Sequence, residues 1–160
     1  MPDVDLPFLA SICDAFYIGG TKCGLLFGEA IVLTSSALNQ HFRYHIKQRG
    51  AMLAKGRLFG VQFEAMLKDN LYVEASRKAN RQAQQIKQAF VSKGYPLFCD
   101  TKANQIFIVL PNEAIAALQK NYVITYWGKV DENHAAVRLV TSVCTRDEDV
   151  EALLKEIAAL

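Results

Sequence analysis

Residues 13–24, CDAFYIGGTKCG, run from an apolar, β-rich segment into a glycine-rich turn that carries one lysine, Lys22. Ala15 to Ile18 has strand composition, and Glu29 to Thr34 (EAIVLT) is a second β-rich run, bounded by Gly28 and by the Ser35-Ser36 pair. The unit therefore reads as strand, lysine turn, strand: an antiparallel pair predicted at the edge of a larger sheet. Gly19, Gly20 and Gly24 allow the sharp path that such a turn needs. A lysine so placed has two readings. It is either a solvated hairpin lysine or an amine held neutral by burial among apolar residues and glycines, and so able to attack an aldehyde. Thr21 beside it offers a hydroxyl suited to a phosphate oxygen.

Before the hairpin, residues 5 to 12 read as a short helix with Asp5 as its cap and Pro7 in its first turn. After it, Ala37 to Asp69 is helical in pattern, with a break at Gly50 where Lys47 and Arg49 suit the negative end of a helix. The second of these helices, around 51 to 68, is apolar on more than one face, which predicts burial between layers or against another subunit. A third helix, 71 to 94, is sharply amphipathic. Ala75, Ala79, Ala83, Ile86 and Phe90 recur at spacings of three and four, and Gly94 and Pro96 end it.

Beyond residue 95 the pattern shortens. Residues 96 to 101 and 105 to 110 read as strands, Asn112 as the cap of a helix to about Lys120, and 123 to 127 and 136 to 142 as a second strand pair across a polar loop. Thr145 with Glu148 three residues on predicts a capping box for a last helix, 147 to 160. The order ββαββα predicts a small antiparallel sheet with helices on one face. The fold class is thus α/β, with one unit over 1–70 and a small α+β unit over 71–160, the long helix 71–94 connecting them.

With 51% apolar and 21% charged residues the chain has globular composition. Its 18 basic and 16 acidic residues give a net charge of +2 without a long block of one sign, so neither nucleic acid nor a membrane is an expected partner. No apolar run approaches the roughly 20 residues that span a bilayer, and Asp3 and Asp5 near Met1 do not fit a secretory leader, so a cytoplasmic protein is expected. Cys13, Cys23, Cys99 and Cys144 form no C-x-x-C pair and are read as reduced, Cys13 and Cys99 as small hydrophobes in strand-like surroundings. His41 and His45 stand four apart on a predicted helix, but no third ligand has suitable spacing, and no metal is expected. His134 reads as solvated and Cys23 as a small residue at a tight turn.

Three ordered segments carry a family resemblance. DAFYIGGTKCGLLFGEAIV (14–32) resembles the cofactor-lysine segment of the low-specificity threonine aldolases, within the β-eliminating lyases of the fold-type I pyridoxal-phosphate enzymes. KQRGAMLAKGRL (47–58) resembles that family's basic, glycine-containing helix junction, and VRLVTS (137–142) its late strand. The resemblance implies the end of the cofactor-binding large domain followed by the small carboxy-terminal domain.

It also implies roles. Lys22 would form the Schiff base with pyridoxal 5'-phosphate, Thr21 would face the phosphate, and Lys55, or Arg57 two residues on, would reach the phosphate across a subunit interface. Arg138 would bind the substrate carboxylate by a two-pronged pair of hydrogen bonds; read from the strand alone, it points to solvent or pairs with an acidic neighbour. Ser142 stands where many aldolases have a histidine. The implied reaction cleaves a β-hydroxy-α-amino acid to glycine and an aldehyde. The groups that hold the cofactor ring precede the lysine in this family, so the implied partners are an amino-terminal half as a second chain, an amino-acid substrate and further copies of the chain in a homo-oligomer. The alternatives are a non-catalytic fragment or interaction module, or another β-eliminating amino-acid lyase.

Overall fold

The computed structural model describes residues 4–160, which divide into two compact units at Tyr72 and Val73. In the first unit, helix α1 (Leu6–Ile12) is capped as the sequence predicts: the Asp5 carboxylate accepts the Phe8 N–H at 2.8 Å, with proline in the first turn. Strands β1 (Ala15–Gly19) and β2 (Glu29–Leu33) pair antiparallel, Ala15 opposite Leu33 and Gly19 opposite Glu29. Thr34 closes the base of the hairpin, its N–H on the Asp14 carbonyl and its hydroxyl on that of Cys13. Among the described residues this pair is its own two-stranded sheet rather than the edge of a larger one.

The predicted helix 37–50 is broken in two, α2 (Ser36–Asn39) and α3 (Phe42–Gln48). The break lies at Gln40 and His41, where His41 takes the left-handed conformation (φ 58°) that a helix interior excludes. Gly50 then ends α3 with φ 70°. The next helix also starts late. Residues 51–53 have no regular structure, 54–56 form a turn, and α4 covers Arg57–Leu67, shorter than the predicted 51–68. A single 3₁₀ turn, Lys68–Asn70, with left-handed Asp69 and Asn70, kinks the chain into α5 (Leu71–Ser92). Only Leu25 and Phe63 are buried apolar residues in this unit, among those described.

The second unit holds the main core. Strands β3 (Leu97–Cys99), β4 (Gln105–Pro111), β5 (Thr125–Lys129) and β6 (His134–Val140) form one antiparallel sheet in the order β3-β4-β6-β5, with α6 (Asn112–Leu118) and α7 (Asp147–Ala159) completing the predicted ββαββα. Ile106, Ile108 and Leu110 of β4 and Val137 and Leu139 of β6 alternate onto one face, where they meet Ala83, Ile86 and Phe90 of α5, Leu118 of α6 and Val150, Leu153 and Ile157 of α7. The 3.6-residue stripe of α5 and the two-residue alternation of the strands thus close one apolar layer. Two buried polar residues fix its rim. The Thr141 hydroxyl donates to the Ala79 carbonyl at 2.6 Å, and the Gln82 amide donates to Asp147 Oδ1 at 2.6 Å and to the Thr145 carbonyl at 3.1 Å.

Two predicted caps are not formed. Asn112 is the first residue of α6, behind Pro111, and its amide donates to the Glu132 carbonyl instead of capping. The Thr145 hydroxyl accepts the Ser142 N–H, which turns it away from α7; Arg146 takes the cap position and pairs with Asp149 and Glu148 in the first turn. Cys99 is exposed rather than buried, and none of the four cysteines is in a disulfide.

Candidate functional site

The lysine turn of the first unit is fixed by its backbone. The Gly20 carbonyl accepts the N–H groups of both Cys23 (3.0 Å) and Leu25 (3.1 Å), so residues 20–25 fold back on themselves, and the buried Leu25 plugs the loop from inside. Gly20 must be glycine: a Cβ there would stand 2.7 Å from Leu25 Cδ2 and 2.8 Å from the Gly28 carbonyl oxygen. Gly28 has φ 97°, and a Cβ on it would meet the Phe59 ring at 2.4 Å. Gly19, by contrast, has open space about it, so the sequence expectation holds for Gly20 and Gly24 and not for Gly19.

Lys22 and Thr21 are both exposed at the tip of this turn. Of the two readings of the sequence, the described residues show the solvated one: the apolar side chain that the loop encloses is Leu25, three residues on, while the amine is left outward. Lys22 makes no ion pair among the described residues. Behind the turn, the Tyr72 hydroxyl donates to the Gly19 carbonyl at 2.8 Å. Burial pushes the Tyr72 phenol up to about 12, with the hydrogen-bonded Cys23 thiol adding to the effect. Tyr72 thus ties the end of β1 to the first turn of α5, next to the residue that follows Lys22.

The segment after the lysine leads to the basic junction. The Leu26 N–H donates to Gln62 Oε1 at 2.8 Å, and Phe27 packs edge-on to Phe59 with ring centroids 5.1 Å apart. A cavity of about 640 Å³ opens there, walled by Leu26, Phe27, Leu58 and Val61 and rimmed by Lys55 and Arg57. Both basic residues are exposed at its edge, so the choice between them stays open.

Arg138 lies in the second unit, on β6, opposite Phe107 of β4 and Thr125 of β5. It alternates with Val137 and Leu139, which face the core, so it stands on the sheet face away from the helices. Its Cζ lies 5.6 Å from the centre of the Trp127 ring, and Trp127 in turn meets Phe107 edge-on at 4.8 Å. The guanidinium donates to Gln105 Oε1 at 3.5 Å, a long contact, while its Nε is buried without a partner. No acidic side chain pairs with it among the described residues, which removes that reading of the sequence.

The remaining candidates are minor. His41 is the left-handed residue before α3, its ring 6.0 Å from that of Tyr44, and no group of three metal-ligating side chains occurs among the described residues. His134 Nδ1 sits 2.9 Å from the Asp131 carboxylate, which that contact holds below the usual carboxylate range. The Ser142 hydroxyl accepts the Cys144 N–H within its own turn. Sequence reasoning missed Tyr72, Gln62 and Trp127. Tyr72 is separated from Gly19 by 53 positions and carries no local signal; Trp127 is the only tryptophan of the chain, which was signal enough to single it out.

No family model matches the chain. It is 32% identical over 107 residues to a low-specificity L-threonine aldolase of Pseudomonas aeruginosa and 30% identical over 107 residues to one of Pseudomonas sp., in each case over 66% of this chain and 31% of the relative. A solved structure described as the threonine aldolase of Leishmania major superposes with a TM-score of 0.95 at 35% identity, over 98% of this chain and 46% of that one. Sphingomonas wittichii serine palmitoyltransferase (TM-score 0.65, 12% identity, 91% of this chain and 39% of that one) and Francisella tularensis 8-amino-7-oxononanoate synthase (0.57, 14%, 83% and 41%) share the fold, that of fold-type I pyridoxal-phosphate enzymes. The chain spans about a third of the length of the curated relatives it matches and under half of the solved aldolase. No helix among the described residues is long and apolar enough to cross a membrane. With a glycine-locked lysine turn, a basic junction beside it and matches of this extent, the chain belongs to the low-specificity threonine aldolase family, corresponding to its carboxy-terminal portion.

Proposed function

We propose that the chain contributes the lysine and the carboxylate-binding arginine of a cytosolic, pyridoxal-phosphate-dependent lyase that cleaves a β-hydroxy-α-amino acid to glycine and an aldehyde. The observation that carries the reading is the likeness to threonine aldolases over nearly the whole chain, together with a Lys22 held at the tip of a turn whose backbone is locked by Gly20, Gly28 and Tyr72. An amine that must reach a bound aldehyde needs this combination of free side chain and fixed backbone.

The residues present fit the cofactor. Lys22 has no competing ion pair among the described residues, Thr21 stands beside it with an exposed hydroxyl, and Lys55 or Arg57 offers a cation for a phosphate. When bound, the cofactor supplies an aldehyde for the Lys22 amine and a ring that accepts the electron pair left on Cα as the Cα to Cβ bond breaks. Arg138 holds the substrate carboxylate in a fork that fixes the orientation of the bond to be broken. Lys22 would hold the cofactor and would be the chain's own group for carrying a proton at Cα.

The wider assembly is part of the same proposal. Leu26, at 85% exposure, heads a set of exposed apolar residues in the first unit that includes Leu53, Leu58 and Val61. Such a surface suits contact with an amino-terminal half from a second chain and with further copies of this one.

Borohydride reduction of the chain with pyridoxal phosphate and an amino-terminal half, followed by peptide mapping, tests the reading. Label concentrated on Lys22, with an absorbance near the visible edge that Lys22→Ala removes, is expected. Label scattered over surface lysines, with no such band, would make the chain a non-catalytic interaction module. Arg138→Ala is expected to raise the amino-acid concentration required while leaving the cofactor band intact; loss of cofactor uptake would overturn the role given to Arg138.

A further inference from the structure

We infer that Trp127 is a positioning residue for Arg138: its ring holds the guanidinium in one plane so that the free edge is preset for a carboxylate. The inference rests on the carboxylate role proposed for Arg138 and adds the device that would make a single arginine selective.

Three strands build the device. Phe107 on β4 is 9% exposed and meets the Trp127 ring edge-on at 4.8 Å; Trp127 on β5 lies under the Arg138 guanidinium of β6 at 5.6 Å. Alternation from the Thr125–Arg138 pair puts Trp127 on the arginine's face, diagonal to it. The β5 to β6 register slips between Tyr126 and Gly128, and the residue within that irregularity is Trp127. A bulge adjusts the aim of the side chain it carries, and the ring at this one meets the arginine. Gly128 beyond it sits opposite Ala136, so no bulky neighbour competes for the same face.

The arginine is held but not satisfied. A solvent-facing arginine needs no aromatic platform, and a structural one normally spends its donors on a carboxylate or on carbonyl groups. Arg138 has no carboxylate and only one carbonyl partner among the described residues: a contact to the side-chain oxygen Gln105 Oε1 at the 3.5 Å limit, with a buried Nε that has no partner. Stacking restrains the guanidinium plane without consuming an N–H, which leaves the donors for a ligand. Gln105 limits rotation from the other side.

Nitrogen-15 NMR of the full chain gives a direct readout, because a restrained guanidinium shows a resolved Nε–H signal, assigned here by its loss in Arg138→Met. The titrant is glycine, with methylamine as a control that lacks the carboxylate. Wild type is expected to show a glycine-dependent, methylamine-independent shift of the Arg138 signal. Trp127→Leu should broaden it and weaken the apparent glycine affinity by about threefold or more, with Trp127→Phe recovering most of the loss. An unchanged glycine titration in Trp127→Leu, whose fold is verified by the other amide signals, would overturn the positioning role and leave the carboxylate role standing. A wild-type signal that depends on Trp127 but that glycine does not move would overturn the carboxylate role and the inference with it.

Discussion

The hydroxyl of Tyr72 donates to the carbonyl of Gly19 at 2.8 Å, across 53 positions of sequence, and the Cys23 thiol is hydrogen-bonded to the same Tyr72 hydroxyl. Tyr72→Phe removes the bond and keeps the ring. The expected cost is about 1 kcal/mol, concentrated in the turn. Amide exchange at Cys23 and Leu25, whose N–H groups are held by Gly20, should accelerate, and alkylation of Cys23 should speed up. Equal exchange in variant and wild type would show that the turn holds itself.

The same phenol gives a pH dependence. Its pKa in the folded chain is raised from 10.0 to about 12, so the folded state keeps the proton where the unfolded chain releases it. Its contribution is therefore complete below pH 10 and is lost as pH rises through 10 to 12. Denaturant unfolding across that window should show a decline in stability that Tyr72→Phe lessens; parallel curves for the two proteins would contradict the assignment.

Gly28→Ala combines a left-handed backbone at φ 97° with a Cβ 2.4 Å from the Phe59 ring. Strain of this kind costs on the order of 1–3 kcal/mol, and the clash adds to it. Gly19→Ala, where nothing lies within 4 Å, serves as the control and should be close to neutral. The contrast is read from urea unfolding monitored at residues of the hairpin.

Phe90→Ala empties the centre of the second unit, where Phe90 is fully buried among Ile86, Ile106 and Leu153 and meets the Tyr95 ring edge-on at 6.0 Å. A loss of about 3–5 kcal/mol is expected from urea or thermal unfolding. A loss under about 1 kcal/mol would mean that the core collapses around the gap.

Exposed Leu26, Leu58 and Val61 line one apolar opening in the first unit. Sedimentation of the purified chain should show association that strengthens with concentration, and Leu26→Ser together with Leu58→Ser should weaken it. A monomer over the whole range in the unaltered chain would speak against this surface as a contact.

What the sequence disclosed follows from the range of the forces involved. Helix α5 was legible because its apolar residues recur at helical period, strands β4 and β6 because they are short β-rich apolar runs between polar loops, and Asp5 with Pro7 signalled the start of α1 through contacts three residues apart. The break at His41 was hidden, since histidine carries no intrinsic demand for a left-handed backbone. Thr145 and Glu148 had the spacing of a capping box, yet the Ser142 N–H claimed the hydroxyl first. Lys22 was recognisable by its glycines, but its exposure accompanies Leu25 filling the loop, and Arg138 gave no hint of Trp127 because the two meet only across the β5–β6 pairing, whose register no local signal fixes.

Burial is uneven along the chain: Leu25 and Phe63 are the buried apolar residues described before Val73, and the rest of the apolar core lies after it. Local opening is governed by such differences, so the two units should differ in their lifetime against a protease. A sparing digestion would nick the first unit early and leave a resistant piece beginning within α5. The lysine turn would be lost while the Phe107, Trp127 and Arg138 stack survived, which would split the two halves of the proposed chemistry between a labile segment and a durable one.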